Sequence, residues 1–315
     1  GAAWLVGWSE NDGGFWFRAR STVDTNFDTG WLAEATLASP AEFQHGSDLV
    51  AGSNGQWRLA WRKGGSIWVQ YSSALGAAVT TAPNLVDSSL VGLTNGDFVL
   101  AWLVPNTLFS RSLATMSGVD LTTSQPLPLH LSTSAQVPQL IHQDDAGAVS
   151  FFQHSSGAIL PLGPSLSGTN TAVPLLSTAL RSGTLISYRD ANGAQMRVVT
   201  DVSTGMATNF SPAGVPVALA SEPTLQRAVL VEQDGGSVFS RPITMPTTQT
   251  FIGPFRPLNV LPSPQLRPTV AWSDTKQAFL VMWDEFVPPS SGKAMYAYLA
   301  LDGGAPRVMT PDADR

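Results

Sequence analysis

The side chains that could do chemistry fall in short intervals after strand-like runs: Glu10, Asn11 and Asp12; Arg62 and Lys63; His154; Arg189 and Asp190; Asp234; Asp284 and Glu285. They stand out because only 13% of the residues are charged, against about 25% in ordinary globular chains. Two carboxylates facing one site do general acid/base work when burial or a like-charged neighbour lifts one of their pKa values. Glu10, Asp12, Asp284 and Glu285 are the candidates for such a pair. Solvated carboxylates or a bound cation are the plainer reading of the same residues. The arginines, lysine, histidine and amide suit hydrogen bonding to a ligand, as loop groups on a rigid scaffold often do.

Other chemistries find little support. Cysteine is absent, so disulfides and thiolate metal sites are excluded. His142 and His154 flank one strand-like run at no metal-ligand spacing, and His45 and His130 lie apart. No metal or other cofactor is expected. There is no G-x-S-x-G elbow and no phosphate-cradling Gly-rich loop opening a helix. The net charge of −6 comes without a basic patch, which argues against nucleic acid. No apolar run is long enough for a transmembrane helix. The chain is Cys-free and poor in lysine (Lys63, Lys276, Lys293), with Ser and Thr in polar positions. This composition is consistent with export, so an extracellular, cell-surface or periplasmic location is expected.

The elements that must carry these residues form a repeat. An apolar five-residue run recurs as Trp4–Trp8, Trp57–Trp61, Phe98–Trp102, Ala148–Phe152, Thr184–Tyr188, Ala228–Glu232 and Phe279–Trp283. The mean step is about 46 residues, within the roughly 40–50 of four-stranded propeller blades. A short β-like run and a tight turn precede most copies, with Asn54-Gly55 and Asn95-Gly96 as hairpin signals. A third run follows each copy, such as Ser66–Tyr71 or Ala294–Leu301, and often a fourth, more polar one, such as Pro126–Ser132. No helix-length amphipathic pattern interrupts them. The expectation is all-β: one seven-bladed β-propeller of four-stranded antiparallel blades over 1–315. Its blades fall near 1–40, 41–83, 84–132, 133–177, 178–212, 213–263 and 264–315. Two β-sandwich domains are the rival reading, but they explain a sevenfold repeat poorly. The second strand, buried on both faces, reads as a continuous apolar run.

In this architecture the loops from second to third strand share one face with the blade-to-blade connections, and the candidate residues are expected on that face. Gly1 reads as the end of a first-to-second-strand turn. An upstream segment of a longer precursor, or a partner, is therefore expected to complete blade one. Eight of the ten tryptophans lie at or before Trp102. Those ending second strands are expected between blades. The Pro- and Thr-rich stretch from Arg241 to Pro264 reads as an ordered excursion of blade six. Asn209-Phe210-Ser211 is a glycosylation sequon of the kind that arises by chance.

The unit Phe279–Trp283 with Ala294–Gly304 resembles the seven-bladed propeller repeats of secreted bacterial proteins, over nearly the whole chain. It lacks the Gly-His and Trp-Asp signature of WD40 repeats and the tandem glycines of kelch. Ser9–Trp16 is similar to the Asp-containing turn of sialidase-like proteins, with Asn11 in place of Asp, but it sits in a different loop, so no catalytic residue is carried over. The low charge, the degenerate blades and the incomplete first blade lead to the expectation of a non-enzymatic recognition or assembly module binding glycan or protein. The alternatives are a secreted glycoside hydrolase or lyase using the axial carboxylates, and a purely structural spacer.

Overall fold

A computed structural model describes residues 3–9, 15–21, 35–36, 44–51, 57–63, 65–71, 74–81, 85, 87–92, 97–105, 107–114, 118–122, 128–134, 139–144, 146–155, 158–161, 165–173, 175–180, 183–200, 205–222, 226–245, 249–258, 265–273, 277–285, 293–300 and 307–309. They form antiparallel sheets in chain order. The first holds β1 (Ala3–Ser9), β2 (Phe15–Ser21) and β3 (Ala35–Thr36). The second holds β4 (Gln44–Ala51), β5 (Trp57–Lys63), β6 (Ser66–Tyr71) and β7 (Ala74–Thr81). The third holds β8 (Asp87–Gly92), β9 (Phe98–Val104), β10 (Thr107–Ser112) and β11 (Gly118–Thr122). The fourth holds β12 (Pro128–Ser134), β13 (Gln139–Asp144), β14 (Val149–Ser155) and β15 (Ala158–Pro161). The fifth holds β16 (Leu176–Leu180), β17 (Gly183–Asp190), β18 (Gly193–Val199) and β19 (Thr208–Phe210). The sixth holds β20 (Val215–Glu222), β21 (Arg227–Asp234), β22 (Ser237–Thr244), β23 (Phe251–Ile252) and β24 (Arg256–Pro257). The seventh holds β25 (Gln265–Ser273), β26 (Ala278–Glu285), β27 (Lys293–Ala300) and β28 (Arg307–Met309).

The chain divides into two compact units, Gly1–Asp145 with Phe151–Pro161, and Ala146–Ser150 with Leu162–Arg315. In the first, leading strands stand side by side, β4 against β8 and β8 against β12. In the second, β16 lies against β20 and β20 against β25. A four-stranded sheet cannot cover both its own faces, and these contacts cover one face with the next sheet.

The second strands carry this packing. Phe98 to Leu103 are all buried, as are Thr184 to Tyr188 and Ala228 to Glu232. Side chains alternate across a strand, so one strand feeds two cores. On β21, Ala228 and Leu230 join Leu185, Met196 and Val198 of the fifth sheet. Val229 and Val231 join Phe279, Val281 and Trp283 of the seventh. In the first unit, Phe98, Leu100 and Trp102 pack on Ala60, Ile67 and Val69 of the second sheet.

Two strand placements differ from the sequence reading. Pro126–Ser132 was expected to close the third sheet. Instead β11 pairs with β10 there, and β12 opens the fourth sheet. The run Ala148–Phe152 consequently falls in the third strand of its sheet, and β13 is the second. The alternation of Leu129 and Leu131 suits a strand in either place, because a periodic pattern marks a strand without giving its partner. Of the stretch after Arg241, residues 245 and 249–258 are described beyond β22, and β23 and β24 there both pair with β22.

Leu100 is fully buried, so Leu100→Ala should lower the unfolding free energy in urea by about 3 kcal/mol. Met206→Ala, at a side chain 80% exposed, should change it by less than about 0.5 kcal/mol.

Candidate functional site

The sequence-derived candidates among the described residues stand at strand ends. Arg62 and Lys63 end β5, paired with Ile67 and Ser66 across a hairpin. Arg189 and Asp190 end β17, opposite Ala194 and Gly193. Asp234 ends β21 opposite Ser237, across the Gly235-Gly236 turn, where φ values of 54° and 95° require glycine or Asn-like tolerance. Asp284 and Glu285 end β26, opposite Ala294 and Lys293. These are second-to-third-strand hairpins, as the repeat predicts. His154 is not on one: it lies on β14 opposite Ile159, in a third-to-fourth-strand hairpin, because the fourth sheet is shifted by one strand. Glu10, Asn11 and Asp12 lie outside the described residues, as do the side chains of Lys63, His154, Asp284 and Glu285.

Among the hairpin residues, Asp190 shapes its own turn. Asp190 Oδ1 accepts from the Asn192 N–H (2.7 Å) and the Gln195 amide (3.2 Å). Arg189 is exposed and borders a cavity of about 40 Å³ with Tyr188, Pro212 and Pro216, room for little more than one water at about 30 Å³ each. Among the described residues no three His, Asp or Glu side chains group to hold a metal ion, and no helix is long and apolar enough to cross a membrane.

A different site emerges in the second unit. β19 of the fifth sheet lies beside β23 of the sixth, and a groove of about 590 Å³ opens there, within the roughly 300–1,000 Å³ of small-ligand sites. Phe210, Phe251, Phe255, Thr250, Asn209 and Arg241 line it. Phe251 and Phe255 are about half exposed, at 51% and 50%. Arg241 is buried, its guanidinium carbon 5.5 Å from the Phe210 ring centre and 5.4 Å from that of Phe255. Phe239 meets Phe255 edge to face at 5.7 Å.

Strand register explains why Arg241 is there. Arg241, Phe239 and Ile243 share one face of β22, the face that Ile243 packs toward the fifth sheet. Glu232 occupies the same side of β21, beyond Ala228 and Leu230, and is fully buried. Arg241 Nη2 donates to Glu232 Oε2 at 3.3 Å and to the Ser211 carbonyl at 2.8 Å. Nη1 donates to the Gly253 carbonyl at 3.1 Å. The Ala213 N–H donates to Glu232 Oε2 at 3.2 Å. Gly214 lets this loop lie on the strand, since a Cβ there would sit 2.3 Å from the Gln233 carbonyl oxygen. Three polar atoms keep no protein partner: Arg241 Nε, Glu232 Oε1 and Thr250 Oγ1. A buried orphan polar atom is costly, and two of these belong to residues that line the groove, Arg241 and Thr250, which makes it the candidate ligand site.

The sequence held a signal for this site that the search for loop charges passed over. Six of the seven apolar runs end on an aromatic residue, and Ala228–Glu232 ends on Glu. Trp61, Trp102, Tyr188 and Trp283 are buried at that place. The cross-strand partner plus two carries arginine repeatedly: Arg18, Arg111, Arg197 and Arg241.

Burial holds the Glu232 carboxyl above the usual carboxylate range, and the Ala213 N–H and the Arg241 guanidinium oppose it. Burial likewise raises Tyr188, opposed by Arg197.

Solved structures share the fold at low identity. The β-propeller domain of Cps50 (Swd1) from Myceliophteria thermophila matches at 10% identity and TM-score 0.54, over 84% of this chain and 97% of that one. A fucose-specific lectin from Aleuria aurantia matches at 12% and 0.51, over 85% and 96%. A dihydro-heme d1 dehydrogenase matches at 13% and 0.57, over 97% of this chain and 64% of its own. Such likeness establishes the fold alone: this is a β-propeller repeat fold. No protein-family model matches the chain, and no curated protein matches it by sequence.

Because the folded state holds the Glu232 proton to higher pH than the unfolded chain does, stability should fall as pH rises through the window between the two pKa values. Urea midpoints from about pH 4 to about pH 7 should show this decline in the wild type and a flatter profile in Glu232→Gln. Equal slopes would remove Glu232 as its source.

Proposed function

We propose that this protein is an exported, seven-bladed recognition module that binds a glycan through the groove at Arg241, without catalysing a reaction. The seven sheets among the described residues, six of them with four or more strands, support the blade number. The Cys-free, lysine-poor composition supports export. The observation that carries the binding reading is the groove itself. Two half-exposed phenylalanines flank a buried, fully oriented arginine. Folding alone favours burying those rings and leaving a lone arginine in water. A sugar matches both features, because one face of the ring presents C–H groups to an aromatic surface while its edge presents hydroxyls. A fucose-specific lectin is built on the same fold, so the fold is compatible with this ligand class.

The test is a glycan array with the wild type, Phe251→Ala and Phe255→Ala. The wild type should bind a restricted set of glycans. Each truncation should weaken binding roughly fivefold, given about 1 kcal/mol for an aromatic contact beyond its buried area. Binding that both variants retain in full would place recognition elsewhere. No glycan binding, with a protein partner lost on the same truncations, would make the groove a protein-docking site.

A further inference from the structure

We propose that the Glu232–Arg241 pair makes this groove a single site per chain for an uncharged sugar edge bearing adjacent hydroxyls, and that it rejects carboxylated and sulfated glycans. The inference rests on the glycan reading above and specifies its ligand.

Charge and donor count carry it. Binding of a carboxylate or sulfate by arginine is strongest through two parallel N–H donors. Here Nη2 gives both its N–H groups to Ser211 and Glu232 and Nη1 gives one to Gly253, which leaves Nε–H and one Nη1 N–H, two donors that point apart and do not make a parallel pair. The guanidinium charge is already matched by Glu232, 3.3 Å away. An incoming anion would meet a second negative charge on the same cation in a poorly solvated place, where like charges repel strongly. A hydroxyl meets no such penalty. It accepts from Arg241 Nε–H and donates onward, and the neighbouring hydroxyl takes up Thr250 Oγ1, which both donates and accepts. Phe255 covers the guanidinium while half exposed. It is the side chain a ligand must displace, and its ring then offers the apolar face.

The single site follows from the repeat. Arg111 and Arg197 hold the same register place in the third and fifth sheets as Arg241 does in the sixth. In the third sheet the aromatic end of the second strand fills the place of Glu232: Trp102 lies 5.5 Å and Phe109 5.7 Å from the Arg111 guanidinium. In the fifth, Tyr188 stands there and is bonded to Arg197. Only Ala228–Glu232 among the seven runs ends on an acid.

Isothermal titration and native mass spectrometry of the full chain decide this. The probes are methyl glycosides of fucose, galactose and mannose against those of glucuronic and sialic acid and a sulfated galactose. The expected result is one equivalent of a neutral glycoside bound, at least tenfold more tightly than any acidic one. Glu232→Gln, which frees the guanidinium charge, should erase that preference. A folded Glu232→Gln that keeps it overturns the role of the pair. If that variant does not fold, the wild-type preference and stoichiometry decide. Acidic glycosides bound preferentially, with binding lost in Phe255→Ala, overturn this inference and leave the glycan reading standing. Three or more equivalents overturn the single site. No binding of any glycoside overturns both.

Discussion

Each second strand must be covered on both faces, and the rest of the structure depends on that constraint. Successive side chains of β21 serve two cores, Ala228 and Leu230 toward the fifth sheet and Val229 and Val231 toward the seventh. Burial of apolar area at about 25 cal/mol per Å² therefore acts twice per strand. A one-residue slip would exchange the two sets and leave neither neighbour with its fitted surface. The same parity decides which way the last residue of each run faces, and so what meets the neighbouring sheet at that point.

At five such places the residue is aromatic: Trp8, Trp61, Trp102, Tyr188 and Trp283. An aromatic ring there removes roughly 200 Å² from water and carries no charge, although the buried Trp61 and Trp283 leave Nε1 without a protein partner. Glu232 forgoes that gain and brings a desolvation cost of several kcal/mol per ion. Its pairing with Arg241 limits the loss without making the exchange favourable, since buried ion pairs often contribute less than a well-packed apolar substitute. Stability thus gives no reason for an acid at this position. The aromatic groove in front of Arg241 gives one: the arginine is held in place by Ser211, Gly253 and Glu232 and is still partly unsatisfied, so it meets a ligand without rearranging itself once Phe255 moves aside.

Two carboxylates at hairpins hold their own turns. Asp190 ties its own turn through Asn192 and Gln195. Asp97, similarly, accepts from the Phe98 and Ala114 N–H groups and the Ser112 hydroxyl, fastening β9 to the end of β10. Carboxylates at turns satisfy backbone donors that a ladder leaves open. A charge in a loop is therefore a weaker sign of binding than a charge on a strand whose neighbours are all apolar.

The amino-acid sequence determined the all-β repeat, since continuous apolar runs at a near-constant step can be buried only by stacking sheet on sheet. It also determined which residues end each second strand, and so the place where Glu232 breaks the pattern. Tertiary structure decided the strand order around Pro128–Ser134, because periodicity does not name a strand's partner. It decided that His154 lies away from the second-to-third-strand hairpins. It alone brought Phe210, Arg241 and Phe255 together. Those residues come from different strands and an excursion, and their meeting depends on how the fifth and sixth sheets pack, which no local spacing encodes.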